Sequence, residues 1–352
     1  MWASFVSTLD DSRRWFWRGV LGLGFSNLWI RDRSARLTMM ASLQILFAFI
    51  CTLFFPLWLL LLGPIILGVP HIISDVRYLL IRPPEAISKR VVIGIIAALT
   101  IMTGFRIYAM ATFHWLPQWE MLFGCIAVFA GILLAKKPSL WQLPLVAAMV
   151  LATYFAFVYP RAAILWVGHL HNFIAFGLWL YWSKGEGPWS RYIGVVVLYL
   201  GCIALIGFGV WESAAASLGA YNSPQSGLYF HELVKQLAPG LSPTLGFRLV
   251  LIFAFAQAIH YVVWLRLVPG NQHFYPRPRP STFRENFERL GNDFGKIGLF
   301  LCIAGCILIP FFALFDAIGT RTFYLSLVLF HGWLELAVIA NLLVRQKKPL
   351  PH

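Results

Sequence analysis

A long apolar run occupies residues 38–80, with the sequence TMMASLQILFAFICTLFFPLWLLLLGPIILGVPHIISDVRYLL. About 20 residues of helix cross the hydrocarbon core of a bilayer, so this run is too long for one span. Pro56 and the pair Gly63-Pro64 interrupt it, and proline commonly ends or kinks a helix. We therefore expect residues 38–80 to form a helical hairpin of two spans.

The composition of the whole chain supports a membrane protein. Of its 352 residues, 59% are hydrophobic and only 12% are charged, and the mean hydropathy is +0.74. Soluble globular proteins carry about 25% charged residues. The composition therefore excludes an ordinary soluble enzyme and predicts an all-α, polytopic transmembrane helical bundle.

We expect about ten spans, each an apolar segment bounded by charge, proline or glycine. The predicted spans are residues 38–56, 57–80, 91–112, 119–135, 140–160, 162–182, 192–212, 247–266, 297–318 and 322–344. With this division, the chain crosses the membrane an even number of times, so its two ends lie on the same side.

Lysine and arginine are distributed unequally between the two sides of this bundle. One side, which includes both termini, holds 22 of the 28 basic residues, and the opposite side holds four. By the positive-inside rule, both termini should face the cytoplasm, and we expect a multi-pass protein of the bacterial inner membrane. The same rule explains the net charge of +14, so we expect membrane lipids and no nucleic acid among the partners.

The first and last predicted spans divide the chain into three regions. Residues 1–37 are rich in arginine and tryptophan, and we expect them to form an interfacial amphipathic segment on the cytoplasmic surface. Residues 38–344 are predicted to form a single transmembrane helical domain. Residues 345–352 form a cytoplasmic basic tail.

Five of the nine histidines fall inside the predicted spans, where ionisable side chains are costly and usually functional. They are His71, His169, His171, His260 and His331. At 1.5 Å of rise per residue, all five lie in a slab about 10 Å thick near the middle of the bilayer. Independent structural histidines would scatter in depth, so we predict that most of the five share one metal site. His169 and His171 point about 200° apart, so both reach one ion only if the helix is kinked or the site is wide.

Polar residues at helical spacing accompany three of these histidines. Asp75 and Glu335 each follow a histidine by four residues, and Gln257 precedes His260 by three. Such pairs share a helix face, and a metal-bound histidine commonly donates its second N–H to a carboxylate. We expect Asp75, Glu335 and Gln257 to support the ligands. A direct bond from a carboxylate to the metal and an ion pair of Asp75 with Arg77 are the alternatives.

Aromatic residues are abundant in the same spans. We predict that Phe173, Trp264 and Trp333 line a pocket for a large apolar substrate, although ordinary lipid-facing aromatics are the alternative. Histidine clusters in lipid suit iron, copper or haem, and imidazoles with few carboxylates leave open positions on iron. The predicted cofactor is therefore Fe(II), with haem as the alternative. The predicted partners are O2 and a lipid-soluble small molecule, which enter from the bilayer.

The stretch GVPHIISD (residues 68–75) resembles the GxPHxxxD signature of the bacteriorhodopsin-related (Brp/Blh-type) β-carotene 15,15′-dioxygenases. The resemblance implies a polytopic membrane protein in which histidines on several helices hold one non-haem iron. It also implies cleavage of β-carotene at its central double bond by O2, to give retinal. His71 and Asp75 correspond to the motif itself. His169 or His171, His260 and His331 correspond by role only.

Three functions are compatible with these observations. The first is an intramembrane non-haem iron oxygenase that acts on an apolar polyene or lipid, for example by oxidative cleavage of a carotenoid. The second is a haem or haem–copper membrane protein with histidines as axial ligands. The third is a proton- or ion-coupled transporter that uses the buried His, Asp and Glu residues.

Overall fold

The computed structural model describes residues 7–15, 32–135, 142–221, 226–271, 274 and 282–345. Its regular elements are helices, as predicted for an all-α bundle. Most of the predicted interfacial segment, and the basic tail beyond residue 345, lie outside the described residues.

Among the described residues, eight helical segments are long and apolar enough to cross a membrane, which gives the chain the character of an integral membrane protein. They are α2 (Arg33–Phe54), α3 (Pro56–Ile81), α4 (Lys89–Thr112), α7 (Pro160–Trp182), α8 (Trp189–Phe208), α11 (Pro243–Gly270), α12 (Phe283–Ala313) and the segment Ala317–Val344. A two-residue turn divides the last segment into α13 (Ala317–Leu327) and α14 (Phe330–Val344). Within α12, Gly295 has a φ of 70° and interrupts the helix.

Shorter helices complete the described part of the chain. They are α1 (7–15), α5 (Pro117–Leu133), α6 (Gln142–Val158), α9 (Glu212–Ser217) and α10 (Phe230–Leu237). The helices α5 and α6 are apolar but have only 17 residues each. A helix therefore covers each of the ten predicted spans, and the number of membrane crossings stays a prediction.

The run of residues 38–80 divides into two helices near the predicted position. Phe55 has a φ of −137° and ψ of 40°, which ends α2, and Pro56 begins α3. Proline is favoured in the first turn because the N–H that it lacks would have no partner there. Prolines also begin α5, α7 and α11.

Several arginines lie together at one end of the bundle, among them Arg33, Arg36 and Arg77, and we call this the basic end. There Asp32 connects two helices. Its side chain accepts a hydrogen bond from the backbone N–H of Ala35 and so caps α2. The same carboxylate pairs with Arg191 of α8. The hydrogen bond from Arg191 lowers the pKa of Asp32 to about 2, so this pair remains charged at neutral pH.

The centre of the bundle is formed by α11 and α13–α14. In each of these segments 56% of the residues in the most apolar 18-residue stretch are buried, whereas none is buried in the corresponding stretch of α12. The helix α7 packs against α11 and α14, and α3 also contacts both. All five predicted histidine ligands lie on α3, α7, α11 and α14, which are therefore neighbours in the bundle.

Candidate metal centre

Four histidines from four helices meet inside the bundle. They are His71 of α3, His171 of α7, His260 of α11 and His331 of α14. The ring centroids of neighbouring pairs in this group are 4.8–5.7 Å apart. Two imidazoles that bind one ion through nitrogens at about 2.1 Å have centroids roughly 4.5–5 Å apart. The observed spacing is thus close to that of ligands of a single ion.

Backbone carbonyls orient three of these rings through their Nδ1 atoms. The distances from Nδ1 to oxygen are 3.3 Å for His71 to Leu67, 2.9 Å for His171 to Val167 and 2.5 Å for His331 to Val328. A carbonyl oxygen can only accept a hydrogen bond, so Nδ1 must carry the proton in each neutral ring. The Nε2 atom of each ring therefore carries the lone pair that a metal ion requires.

Wide turns of helix lie beside three polar residues of the site. These π-helical turns cover Gly63–Leu67, Arg77–Ile81 and Val263–Leu267. The first two flank His71 and Asp75, and the third follows His260. Pro64 and Pro70 have no N–H to donate to the regular helical ladder, which favours an irregular turn before His71. Such turns change the direction of the side chains that follow.

The ring of His260 is enclosed by the other polar groups of the cluster. Its side chain is 1% exposed, and neither ring nitrogen makes a hydrogen bond within the described part of the chain. Its Nε2 lies 3.6 Å from Oε1 of Glu335, which accepts a 2.7 Å hydrogen bond from Nε1 of Trp264. The sequence spacing predicted that Glu335 would support His331. The structure places Glu335 beside His260, because the His331 ring turns back to a backbone carbonyl.

Asp75 brings a carboxylate into the same group. One ligand atom from each of His71, Asp75, His260 and His331 lies within 4.8 Å of the others. Asp75 is fully buried, and neither of its carboxylate oxygens has a hydrogen-bond partner among the described residues.

The ion pair considered for Asp75 and Arg77 is not formed. Nε of Arg77 lies 2.6 Å from Oδ2 of Asp293, on α12. Arg77 points to the basic end of the bundle, whereas Asp75 points to the histidines. The carboxylate of Asp75 therefore faces the cluster without that neutralising partner.

His169 lies apart from the cluster. Its Nε2 is 2.9 Å from the carbonyl oxygen of Leu237, and its ring contacts Phe253 at 5.0 Å between centroids. Two residues turn an α-helix by about 200°, so His171 faces the cluster and His169 faces away. Of the five predicted metal ligands, the structure thus brings together four.

A cavity of about 130 Å³ adjoins the four rings. Its walls include Tyr261 and Tyr324, which the sequence analysis did not select. The ring of Tyr261 lies 4.7 Å from that of His71, and the buried Tyr324 hydroxyl has no hydrogen-bond partner among the described residues. Tyr261 directly follows His260, which is a usable sequence signal, but the position of Tyr324 in α13 offers none.

The supporting residues predicted around the cluster lie in several environments. Gln257 lines the cavity, and its Nε2 donates a 3.2 Å hydrogen bond to the hydroxyl of Tyr261 rather than holding His260. Trp264 is buried against Glu335.

The three residues predicted to form a substrate pocket are not among the described residues that line this cavity. Trp333 packs on Gly124 of α5 and leaves no room there for a side chain. Phe173 faces Tyr199 of α8 at 6.2 Å between ring centroids. Trp264 donates its hydrogen bond to Glu335. Each of the three predicted pocket residues therefore contacts another residue of the bundle instead of lining the cavity.

The donor set fits a transition-metal ion. Neutral imidazole nitrogens with a carboxylate suit iron, copper or zinc. The buried Nε2 of His71 and both oxygens of Asp75 have no other partner among the described residues, and a buried polar group left unpaired costs about 1–3 kcal/mol. A divalent cation would satisfy these groups together.

The same cavity does not fit haem. A porphyrin needs the space around the iron for its macrocycle, whereas here imidazole rings from four helices pack together with centroids 4.8–5.3 Å apart.

Comparison of the chain with protein-family models, with curated proteins and with solved structures gave no match.

Proposed function

We propose that the chain is an intramembrane non-haem iron oxygenase that acts on an apolar polyene or lipid. The observation that carries this proposal is the convergence of ligand atoms from three histidines and Asp75 on one buried point. The ring of His171 packs against those of His260 and His331 at 5.0 and 4.8 Å between centroids. We further propose ten membrane spans with both termini in the cytoplasm, in a bacterial inner membrane. This proposal is supported by the sequence, in which ten predicted spans put 22 of the 28 basic residues on one side.

Iron and O2 are supported by the donor set and by the sequence motif. Nitrogen donors with few carboxylates suit iron that keeps open positions. The resemblance of GVPHIISD to the carotenoid dioxygenase signature favours carotenoid cleavage as the specific reaction. Bound iron would supply the redox activation of O2. In the overall reaction the C=C bond breaks and each carbon receives one oxygen atom of O2, so no external reductant is consumed.

The chain's own residues would orient the metal ligands, contact the substrate and exclude water. The carbonyls of Leu67, Val167 and Val328 hold three imidazoles in the tautomer that presents Nε2. The ring of Tyr261 forms an apolar wall against His71. Burial in the bundle keeps bulk water from the reacting double bond, while O2 and an apolar substrate enter from lipid.

A groove at the end of the bundle opposite the basic residues offers a route for the substrate. It has a volume of about 920 Å³, and its walls include Trp115, Trp166 and Leu249. Along α7, Trp166 and His169 border this groove, whereas Gly168 and His171 border the cavity at the cluster. We assign His169, with Phe253, to the partition between the groove and the cavity.

Filling the inner cavity is expected to slow the reaction without removing the metal. A β-carbon at Gly168 would meet no atom within 4 Å, so Gly168→Leu fits the fold and places its side chain in the cavity. We expect turnover to fall by at least about tenfold, because displacement of a substrate by about 1 Å can cost as much as 100-fold. The measurement is O2 uptake and loss of β-carotene absorbance by iron-loaded protein in nanodiscs.

Gly177→Leu is the matched control, because Gly177 lies on the same helix and is exposed, and a β-carbon there would also meet no atom of the described residues within 4 Å. It should keep wild-type turnover. Equal losses in the two variants, or loss of iron from Gly168→Leu, would contradict the assignment of the cavity. If iron-loaded wild-type protein does not consume β-carotene with O2, the carotenoid reaction is wrong. If the protein binds no metal, the transporter alternative is favoured.

A further inference from the structure

A second cavity, of about 620 Å³, opens at the basic end of the bundle. It lies between the start of α2, the end of α3, the end of α11 and the start of α12. Its lining includes six arginines of the described part of the chain: Arg33, Arg36, Arg77, Arg82, Arg266 and Arg289. The metal centre does not use any of them.

The charge of this cavity is strongly positive. Among the described residues that line it there is no Asp or Glu. The adjacent carboxylate of Asp293 is 2% exposed and binds both Arg77 and Arg82, which fixes two of the guanidinium groups at the wall. Asp32, at the start of α2, is paired with Arg191. Guanidinium groups from six arginines that border one cavity favour an anion with more than one oxygen acceptor there.

The lining also has an apolar part. Leu37, Tyr78, Phe283, Phe287 and Leu290 share the cavity with the arginines. Its volume lies within the range of about 300–1,000 Å³ that is typical of sites for organic ligands. The cavity is therefore larger than a free phosphate ion would require. A ligand that matches both parts has an anionic head and an apolar portion.

The position of α12 indicates that the ligand is a lipid. None of the most apolar 18-residue stretch of α12 is buried against protein, although α12 supplies Arg289 and Asp293 to this end of the bundle. A headgroup held between arginines of α2, α3, α11 and α12 would connect the start of α12 to three other helices of the bundle.

We propose that this cavity binds the headgroup of an anionic phospholipid from the leaflet at the basic end of the bundle. The planar guanidinium groups match phosphate oxygens with paired hydrogen bonds. The apolar side chains contact the glycerol and the first part of the acyl chains. This site is separate from the metal centre and does not depend on the proposed reaction.

The test compares nanodiscs of phosphatidylcholine alone with nanodiscs that also contain phosphatidylglycerol. In wild-type protein, phosphatidylglycerol should raise the melting temperature and remain bound in native mass spectra. Arg289→Gln and Arg36→Gln should each weaken phosphatidylglycerol binding about fivefold, the effect of one basic residue at a membrane surface. Arg284→Gln is the matched control, because Arg284 also lies on α12 but is exposed and pairs with Glu288.

Three results would overturn the proposal. The first is an equal effect of Arg284→Gln and Arg289→Gln, which would indicate general surface charge. The second is wild-type protein that retains no phosphatidylglycerol and gains no stability from it. The third is tight binding of inorganic pyrophosphate in phosphatidylcholine nanodiscs, which would identify a soluble phosphate ligand. If Arg289→Gln does not fold, competition between pyrophosphate and phosphatidylglycerol for the wild-type protein still decides between a soluble phosphate and a phospholipid headgroup. The proposal requires that pyrophosphate does not displace phosphatidylglycerol.

Discussion

Replacement of His260 by alanine is expected to reduce the bound metal from about one ion per chain to about a tenth of that or less. His260 lies at the centre of the cluster, within 5.7 Å of the other three rings. It is 1% exposed, and its ring nitrogens make no hydrogen bond to a described residue, which leaves them available to a metal ion. The measurement is metal analysis by mass spectrometry of protein purified in detergent without chelators.

The matched control for this experiment is His169→Ala. His169 is also a histidine within a predicted span, two residues from His171, but its ring faces Leu237 and Phe253. It should retain the wild-type metal content. Loss of metal from His169→Ala to the same extent as from His260→Ala would contradict the site as described here, and so would full retention by both.

Substitution of Asp75 by asparagine is expected to act in opposite directions on the metal-loaded and metal-free proteins. The affinity for metal should fall about 10- to 100-fold, as observed when a carboxylate that binds or supports a metal ligand is removed. The metal-free variant should be at least as stable as metal-free wild-type protein, because a buried carboxylate without a basic partner is costly. Thermal unfolding of both forms, with and without added Fe(II), measures the two effects.

Glu120→Gln provides the comparison, since Glu120 is equally buried in the bundle but has partners. Its carboxylate binds Arg106 at 2.6 Å and accepts a 3.0 Å hydrogen bond from Trp115. This substitution should destabilise the loaded and metal-free proteins alike, by about 3–5 kcal/mol for a broken buried pair. If Asp75→Asn behaves in the same way, Asp75 has a structural role and is not part of the metal centre.

The helices, and the depth of the site along them, were predictable from the sequence because both depend on local properties. Proline at Pro56 and the cap at Asp32 set helix ends that residue type alone indicates. The shared depth of His71, His260 and His331 follows from counting residues along straight helices. These features do not depend on which helices become neighbours.

The rotation of each helix could not be predicted, because it depends on packing partners. The sequence left His169 and His171 as equal candidates, and the contact of α7 with α14 at Gly332 decides for His171. The same limit explains the predicted pocket. Residue type alone does not tell which way an aromatic side chain points, and Trp333 packs over Gly124 rather than at the cavity. Tyr324 was missed because nothing near it in sequence distinguishes it.

The central claim, that four histidines hold one non-haem metal ion inside the membrane, is tested most directly by metal analysis with an absorption spectrum of the purified wild-type protein. The protein should be solubilised in detergent and kept free of chelators. We predict about one iron per chain and no Soret band. A Soret band would contradict the non-haem site, and protein without bound metal would contradict the claim altogether.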